Sequence, residues 1–269
     1  MRPCLPPLIR RSGPGPRQPG AFLGVALGLI GLFSLNANAR SGVNESVAVP
    51  ASVVESNLQS ASTEVKGVAH WVSSSRDNHG MPYVIIDKVN ARVFVFDAHG
   101  RVLGADAALL GLARGDRSIA GIGDRKLSTI RPQDRTTPAG RFKASLERDV
   151  HGAEILVIDY EASISLHAVV KGTPAERRAE RLRSTTSDDN RISFGCINVP
   201  ATFYKTIVSP AFRQTYGIVY ILPEMSPASE FFGFHDVDTD ARNRDSPPVE
   251  NDATRMGGAT ALGRDQRRP

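Results

Sequence analysis

The sequence predicts a mainly β domain, a mixed sheet or a β-sandwich, with one or two short helices and a helical insertion. Three observations carry this prediction. Short runs rich in Val, Ile, Phe and Tyr recur through the middle of the chain, and clusters of turn residues separate them. The runs are also apolar almost throughout, which marks strands buried on both faces or inner strands of a sandwich.

Taken in order, "YVII" (83–86) and "RVFVF" (92–96) read as two strands joined through "DKVNA", and "DAHG" (97–100) as a hairpin turn into "RVLGA". "EILVIDY" (154–160), "SISLHAVV" (163–170) and "GIVYIL" (217–222) supply three more. Between Gly111 and Phe142 lies a long Gly-, Arg- and Asp-rich stretch, and loops of that length are usually functional or disordered. The Arg114-Gly115-Asp116 triplet inside it reads as a chance occurrence. A helix is expected over 174–183. Thr173 is placed as its N-cap, Pro174 at N1 and Glu176 as the capping-box partner. Its weak apolar stripe is Ala175, Ala179 and Leu182, and arginines cover the rest. A second helix starts at Pro200 and stops before Pro210.

The chain ends have a different composition. Arginines at 2, 10, 11 and 17, an apolar run at 21–35 and "ANA" (37–39) have the layout of a cleaved export signal over residues 1–39. Fifteen apolar residues fall short of the ~20 that span a membrane, so no stable membrane span is expected after cleavage. The segment holds four of the 33 basic residues and none of the 28 acidic ones, leaving 29 against 28. The basic balance therefore belongs to targeting and gives no reason to expect a nucleic-acid partner. Residues 40–79 read as a low-complexity segment or linker with a short amphipathic helix near 51–70, and 225–269 as a disordered tail. One domain is expected over 80–224, in the periplasm or cell envelope.

Of the two cysteines, Cys4 would leave with the signal, so Cys196 is the lone thiol of an exported chain. No internal disulfide is then possible, and the thiol is an intermolecular link, a buried inert group or a nucleophile. "RISFGCINVP" (191–200) favours the nucleophile. Gly195 permits close backbone approach, Ser193 supplies a hydroxyl, and a helix starts soon after, which favours a thiolate. A thiolate needs a general base. Six histidines are available, and only His167 lies in a strand pattern leading toward Cys196. No spacing of Cys and His suggests a metal, and no cofactor is expected.

These residues resemble the L,D-transpeptidase (YkuD-like) family of exported cysteine enzymes. The resemblance rests on His167, then Ser193, Phe194, Gly195, Cys196, Ile197 and Asn198. "TTPAGRF" (136–142) upstream and the opening hairpin add to it, over roughly residues 82–223. Phe194 stands where the family has a second histidine lining the site. Cys196 follows His167 by 29 positions, a long gap that holds the insertion.

The resemblance implies an L,D-transpeptidase-type fold and an enzyme acting on peptidoglycan stem peptides in cell-wall cross-linking or remodelling. Cys196 is the implied nucleophile and His167 the general base. Gly195, Ser193 and Asn198 are the implied oxyanion or positioning residues, with backbone N–H groups near Gly195 and Cys196 holding the oxyanion. Arg177 and Arg181 of the insertion are candidate contacts for a substrate carboxylate. Water as acceptor would make the same site an L,D-carboxypeptidase, and Phe194 leaves open a non-catalytic wall-binding scaffold. NlpC/P60 and papain types place Cys before His, and sortases want Thr-Leu-x-Thr-Cys, so both fit less well.

Overall fold

The computed structural model describes residues 58–234. The export-signal segment and most of the C-terminal tail, 235–269, lie outside the described residues.

Among the described residues ten strands form: β1 Tyr83–Asp87, β2 Arg92–Phe96, β3 Val102–Ala107, β4 Leu110–Gly111, β5 Gly140–Arg148, β6 Glu154–Asp159, β7 Ile164–Ala168, β8 Arg191–Ser193, β9 Ile197–Val199 and β10 Gly217–Ile221. Eight make one mixed sheet in the order β3-β2-β1-β10-β5-β6-β7-β9, while β4 and β8 pair separately. β1–β10 and β7–β9 are parallel. Of the two architectures the sequence allows, the mixed sheet is the one observed. The nine-residue β5 joins its halves: Gly140 to Ala144 pair with β10, and Ser145 to Arg148 pair with β6.

The unbroken apolar runs are explained by cover on both faces. Val84, Ile86, Val93, Val95, Val219 and Ile221 share one core with Phe203, Val208 and Phe212 of helix α3, residues 201–212. Their neighbours Tyr83, Ile85, Phe94, Phe96, Ile218 and Tyr220 share the other with Val65, Val68, Ala69 and Val72 of helix α1, Thr63–Ser75. Those four fall at the i, i+3, i+4, i+7 spacing of one helical stripe. The Ser62 hydroxyl caps α1, accepting from Val65 N–H at 3.3 Å and donating to Asp87 Oδ2 at 2.7 Å. The stretch that reads as a linker thus supplies a core helix. Residues 225–234, which read as tail, include the short helix α4, Ala228–Phe232, and Phe232 and Phe234 stack on Trp71.

Two helix expectations need correction. Helix α3 passes through Pro210 instead of stopping before it. Tyr204–Val208 widens into π geometry, and the wider turn relieves the clash a proline ring makes with the preceding turn. The insertion is not one helix over 174–183. Pro174–Glu176 forms a 3₁₀ turn, Arg177 turns left-handed at φ 44°, and only Arg178–Arg181 (α2) is α-helical. Thr173 makes no side-chain cap. Ala175 and Ala179 are exposed, and Arg178 is the side chain that turns inward.

Candidate active site

Strand pairing places the site. β7 and β9 run parallel with Leu166 opposite Ile197 and His167 opposite Asn198. Leu166 and Ile197 enter the core, so by the two-residue period Ser165, His167, Cys196 and Asn198 share the other face. Ser165 Oγ lies 3.6 Å from Cys196 Sγ. Cys196 is 7% exposed and His167 8%, so both groups lie almost buried at the end of the large sheet.

The imidazole is held by backbone. His167 Nδ1 lies 2.9 Å from the Ala168 carbonyl, which only accepts, so Nδ1 carries the hydrogen and Nε2 is the basic nitrogen of the neutral ring. The thiol donates to Ser163 O at 3.6 Å, which leaves the Ser165 hydroxyl to donate to Sγ. Ser163 sits at φ 54°, a left-handed conformation that bends the entry to β7. A hydroxyl donating to sulfur stabilises the thiolate. Ser165→Ala should therefore slow iodoacetamide alkylation of Cys196 at neutral pH by roughly threefold to tenfold, about one hydrogen bond. An unchanged rate would remove Ser165 from the site.

Side chains behind the cysteine loop fix its shape. Ser193 Oγ donates to Cys196 O at 2.6 Å and accepts from Gly195 N–H at 3.0 Å. Asn198 Nδ2 reaches the same carbonyl at 3.4 Å, while Arg178 Nη1 donates to Asn198 Oδ1 at 2.9 Å. The Thr137 hydroxyl donates to Gly195 O at 2.8 Å and accepts from Gly111 N–H at 2.9 Å. Ser193 and Asn198 are sealed from solvent, so they shape the loop instead of meeting a substrate. Of the two backbone N–H groups expected to hold an oxyanion, that of Gly195 is already engaged by Ser193. Gly195 itself has φ +128°, and a Cβ there would lie 2.8 Å from both Ile164 Cδ1 and Thr136 O. Gly195→Ala should displace the loop and, if the site has the expected cysteine chemistry, lower turnover at least about tenfold with the domain still folded. Parent-like turnover would show that the loop tolerates a side chain.

The insertion arginines separate by role. Arg178 is buried, its Nε 2.6 Å from Glu176 Oε2, over Gly172, where a Cβ would strike that carboxylate. Arg181 donates to the carbonyls of Glu176 (2.8 Å) and Asp189 (2.6 Å), so it stitches the insertion together. Arg177 is exposed and faces Glu180 at 3.6 Å. Nothing in the local sequence pattern marks Ser165, Arg135 or the buried role of Arg178. Only Thr137 carried a signal, through "TTPAGRF".

Beneath the site lies a buried charge cluster. Lys88 Nζ, with no exposed surface, donates to Asp116 Oδ1 (2.6 Å), Gly115 O (2.7 Å) and Thr137 O (3.1 Å). Arg191 pairs with Glu224 at 2.6 Å, and Arg114 pairs with Glu224 and Asp188. Arg114 and Asp116 thus have structural roles in this cluster. Burial pushes the Lys88 pKa below its ordinary value, although Asp116 and Glu224 pull it upward. Burial also disfavours the Asp116 carboxylate, but hydrogen bonds from Lys88 and Glu224 N–H outweigh it and hold its pKa below the usual range.

Fold and site together define a mainly β domain in which a histidine on β7 lies beside a cysteine that immediately precedes the parallel strand β9. Among solved structures the chain is similar to the catalytic domain of an L,D-transpeptidase from E. faecium. That similarity has 18% identity and a TM-score of 0.30, covering 52% of this chain and 95% of that one. It is also similar to Pgp2, the helical cell shape determining protein of Campylobacter jejuni, at 15% identity and a TM-score of 0.38, covering 59% of this chain and 56% of Pgp2. The K307A mutant of Pgp2 gives 13% identity and 0.37, covering 62% and 58%, so the chain spans little more than half of that protein. No protein-family model matches the chain, and no curated protein matches it. No helix among the described residues is long and apolar enough to cross a membrane.

Proposed function

We propose that this chain is an exported cysteine transpeptidase acting on peptidoglycan stem peptides. The observation that carries the reading is the β7–β9 register, which sets His167 and Cys196 on one face and in the order of the resembled motif.

In this reading Nε2 of His167 takes the thiol proton, and Sγ attacks the carbonyl between an L-centre and a D-centre. The Cys196 N–H is the loop donor assigned to the oxyanion, and one such donor is typically worth ~3 kcal/mol. The C–N bond breaks, His167 returns the proton to the departing D-amino acid, and a thioester remains. A second amine, such as the side chain of a diamino acid on another stem, then attacks the thioester. The new C–N bond forms, the C–S bond breaks, and the thiol regains a proton through His167. The Ala168 carbonyl supports this cycle by holding the ring in one tautomer.

Incubating the chain, freed of residues 1–39, with disaccharide tetrapeptide and weighing the products tests the reading. Cross-linked dimer supports transpeptidation. Tripeptide alone identifies water as acceptor, and no change from the starting material contradicts the enzyme.

A further inference from the structure

We infer that Arg135, mounted on Phe194, recognises a carboxylate of the substrate beside Cys196; the substrate class rests on the stem-peptide reading above. Of the two arginines expected to contact a carboxylate, Arg181 holds the insertion together and the exposed Arg177 faces Glu180. Arg135 occupies a different place. A Cβ built on Gly195 meets Thr136 O at 2.8 Å, so the cysteine loop lies directly against the segment that carries Arg135. That segment is fixed on both sides. Ala113 N–H donates to Arg135 O at 3.0 Å, and Thr137 clamps Gly195 and Gly111.

The Arg135 guanidinium lies over the Phe194 ring, 4.0 Å from its centroid, and Phe194 is two residues from Cys196. Nε and Nη2 both donate to Ile130 O, at 3.2 and 3.1 Å. Stacking and a two-point hydrogen bond fix the plane of the group before any ligand arrives. Nη1 has no acceptor among the described residues, and the residue is half-exposed. A fixed, half-exposed guanidinium with an unused donor edge suits a carboxylate, and stem peptides carry free carboxylates. Phe194 then acquires a role: it is the platform for the cation. The competing account is that Arg135 only caps the Ile130 carbonyl.

Two alkylating agents of similar size and opposite demand separate these accounts, because iodoacetate carries a carboxylate and iodoacetamide does not. With Arg135→Gln, the iodoacetate-to-iodoacetamide rate ratio at Cys196 should fall roughly fivefold, the weight of one nearby charge partly screened by water. The KM for disaccharide tetrapeptide should rise about tenfold with kcat little changed. Arg135→Lys should keep the rate ratio but still raise KM, since the charge remains and the planar fork does not. A ratio unchanged in Arg135→Gln overturns the inference. Should that variant unfold, the parent decides: added salt should draw its ratio toward that of a free-cysteine peptide, and a parent ratio already equal to the peptide's overturns it. The alkylation ratio needs no turnover, so a parent inert toward stem peptide would fail the substrate reading and leave Arg135 separately tested.

Discussion

Replacing Cys196 with alanine is expected to abolish acyl transfer, lowering turnover of disaccharide tetrapeptide by at least about a thousandfold with the fold intact. His167→Ala should do nearly the same. In the proposed mechanism the two act as one unit: the thiol needs a proton acceptor, and the imidazole has no covalent role of its own. The double variant should therefore be no slower than either single one. His167 on β7 and Cys196 just before β9 are both nearly sealed and lie outside the two apolar core clusters, so truncation removes chemistry more than packing. Circular dichroism would check the fold, and product masses the activity. Substantial turnover by Cys196→Ala would end the cysteine mechanism.

The largest loss of stability is expected from Glu224→Ala. Glu224 accepts from Arg191, Arg114 and the Gly115 N–H, and lies 3.7 Å from Lys88. Its side chain is 1% exposed, Arg191 is 6% and Lys88 is 0%. Removing the acid leaves two buried cations with one fewer counter-charge, and breaking such a pair costs about 3–5 kcal/mol. In a domain of this size that lowers the melting temperature by on the order of 10 °C. The damage should reach the site, because Lys88 holds Thr137 O and Thr137 holds Gly195 O. Glu224→Gln keeps an acceptor and should cost less. A melting curve for Glu224→Ala that overlays the parent would show the cluster to be dispensable.

The sequence made visible whatever depends on local pattern. The apolar strands around Val84, Phe94, Leu156, Leu166 and Val219 stood out because both faces of the sheet are covered. Strand β5 did not, since Arg141, Lys143, Glu147 and Arg148 interrupt its pattern where the sheet is half-exposed. Helix α3 was seen, but its passage through Pro210 depends on a π turn that no residue signals. Its start also lies farther from the thiol than the sequence suggests, because β9 carries the chain from Cys196 to Pro200 before the helix begins. Cys196 and His167 were legible through residue type and order. Ala168, which orients the imidazole, was not, because it acts through a backbone carbonyl. In the sequence Arg178 reads as one of the arginines that cover the insertion's surface. Only the fold shows that Gly172 leaves room for its pair with Glu176 and that Asn198 receives it.

The proposed mechanism requires that Cys196 form a thioester with a stem peptide. Intact-mass measurement of the protein, quenched in acid during turnover of disaccharide tetrapeptide, tests it most directly. The expected result is an added mass equal to the substrate less its terminal D-amino acid, mapped by fragmentation to Cys196 and absent from Cys196→Ala. Turnover with no such adduct in the parent, or an adduct that maps to another residue, would contradict it.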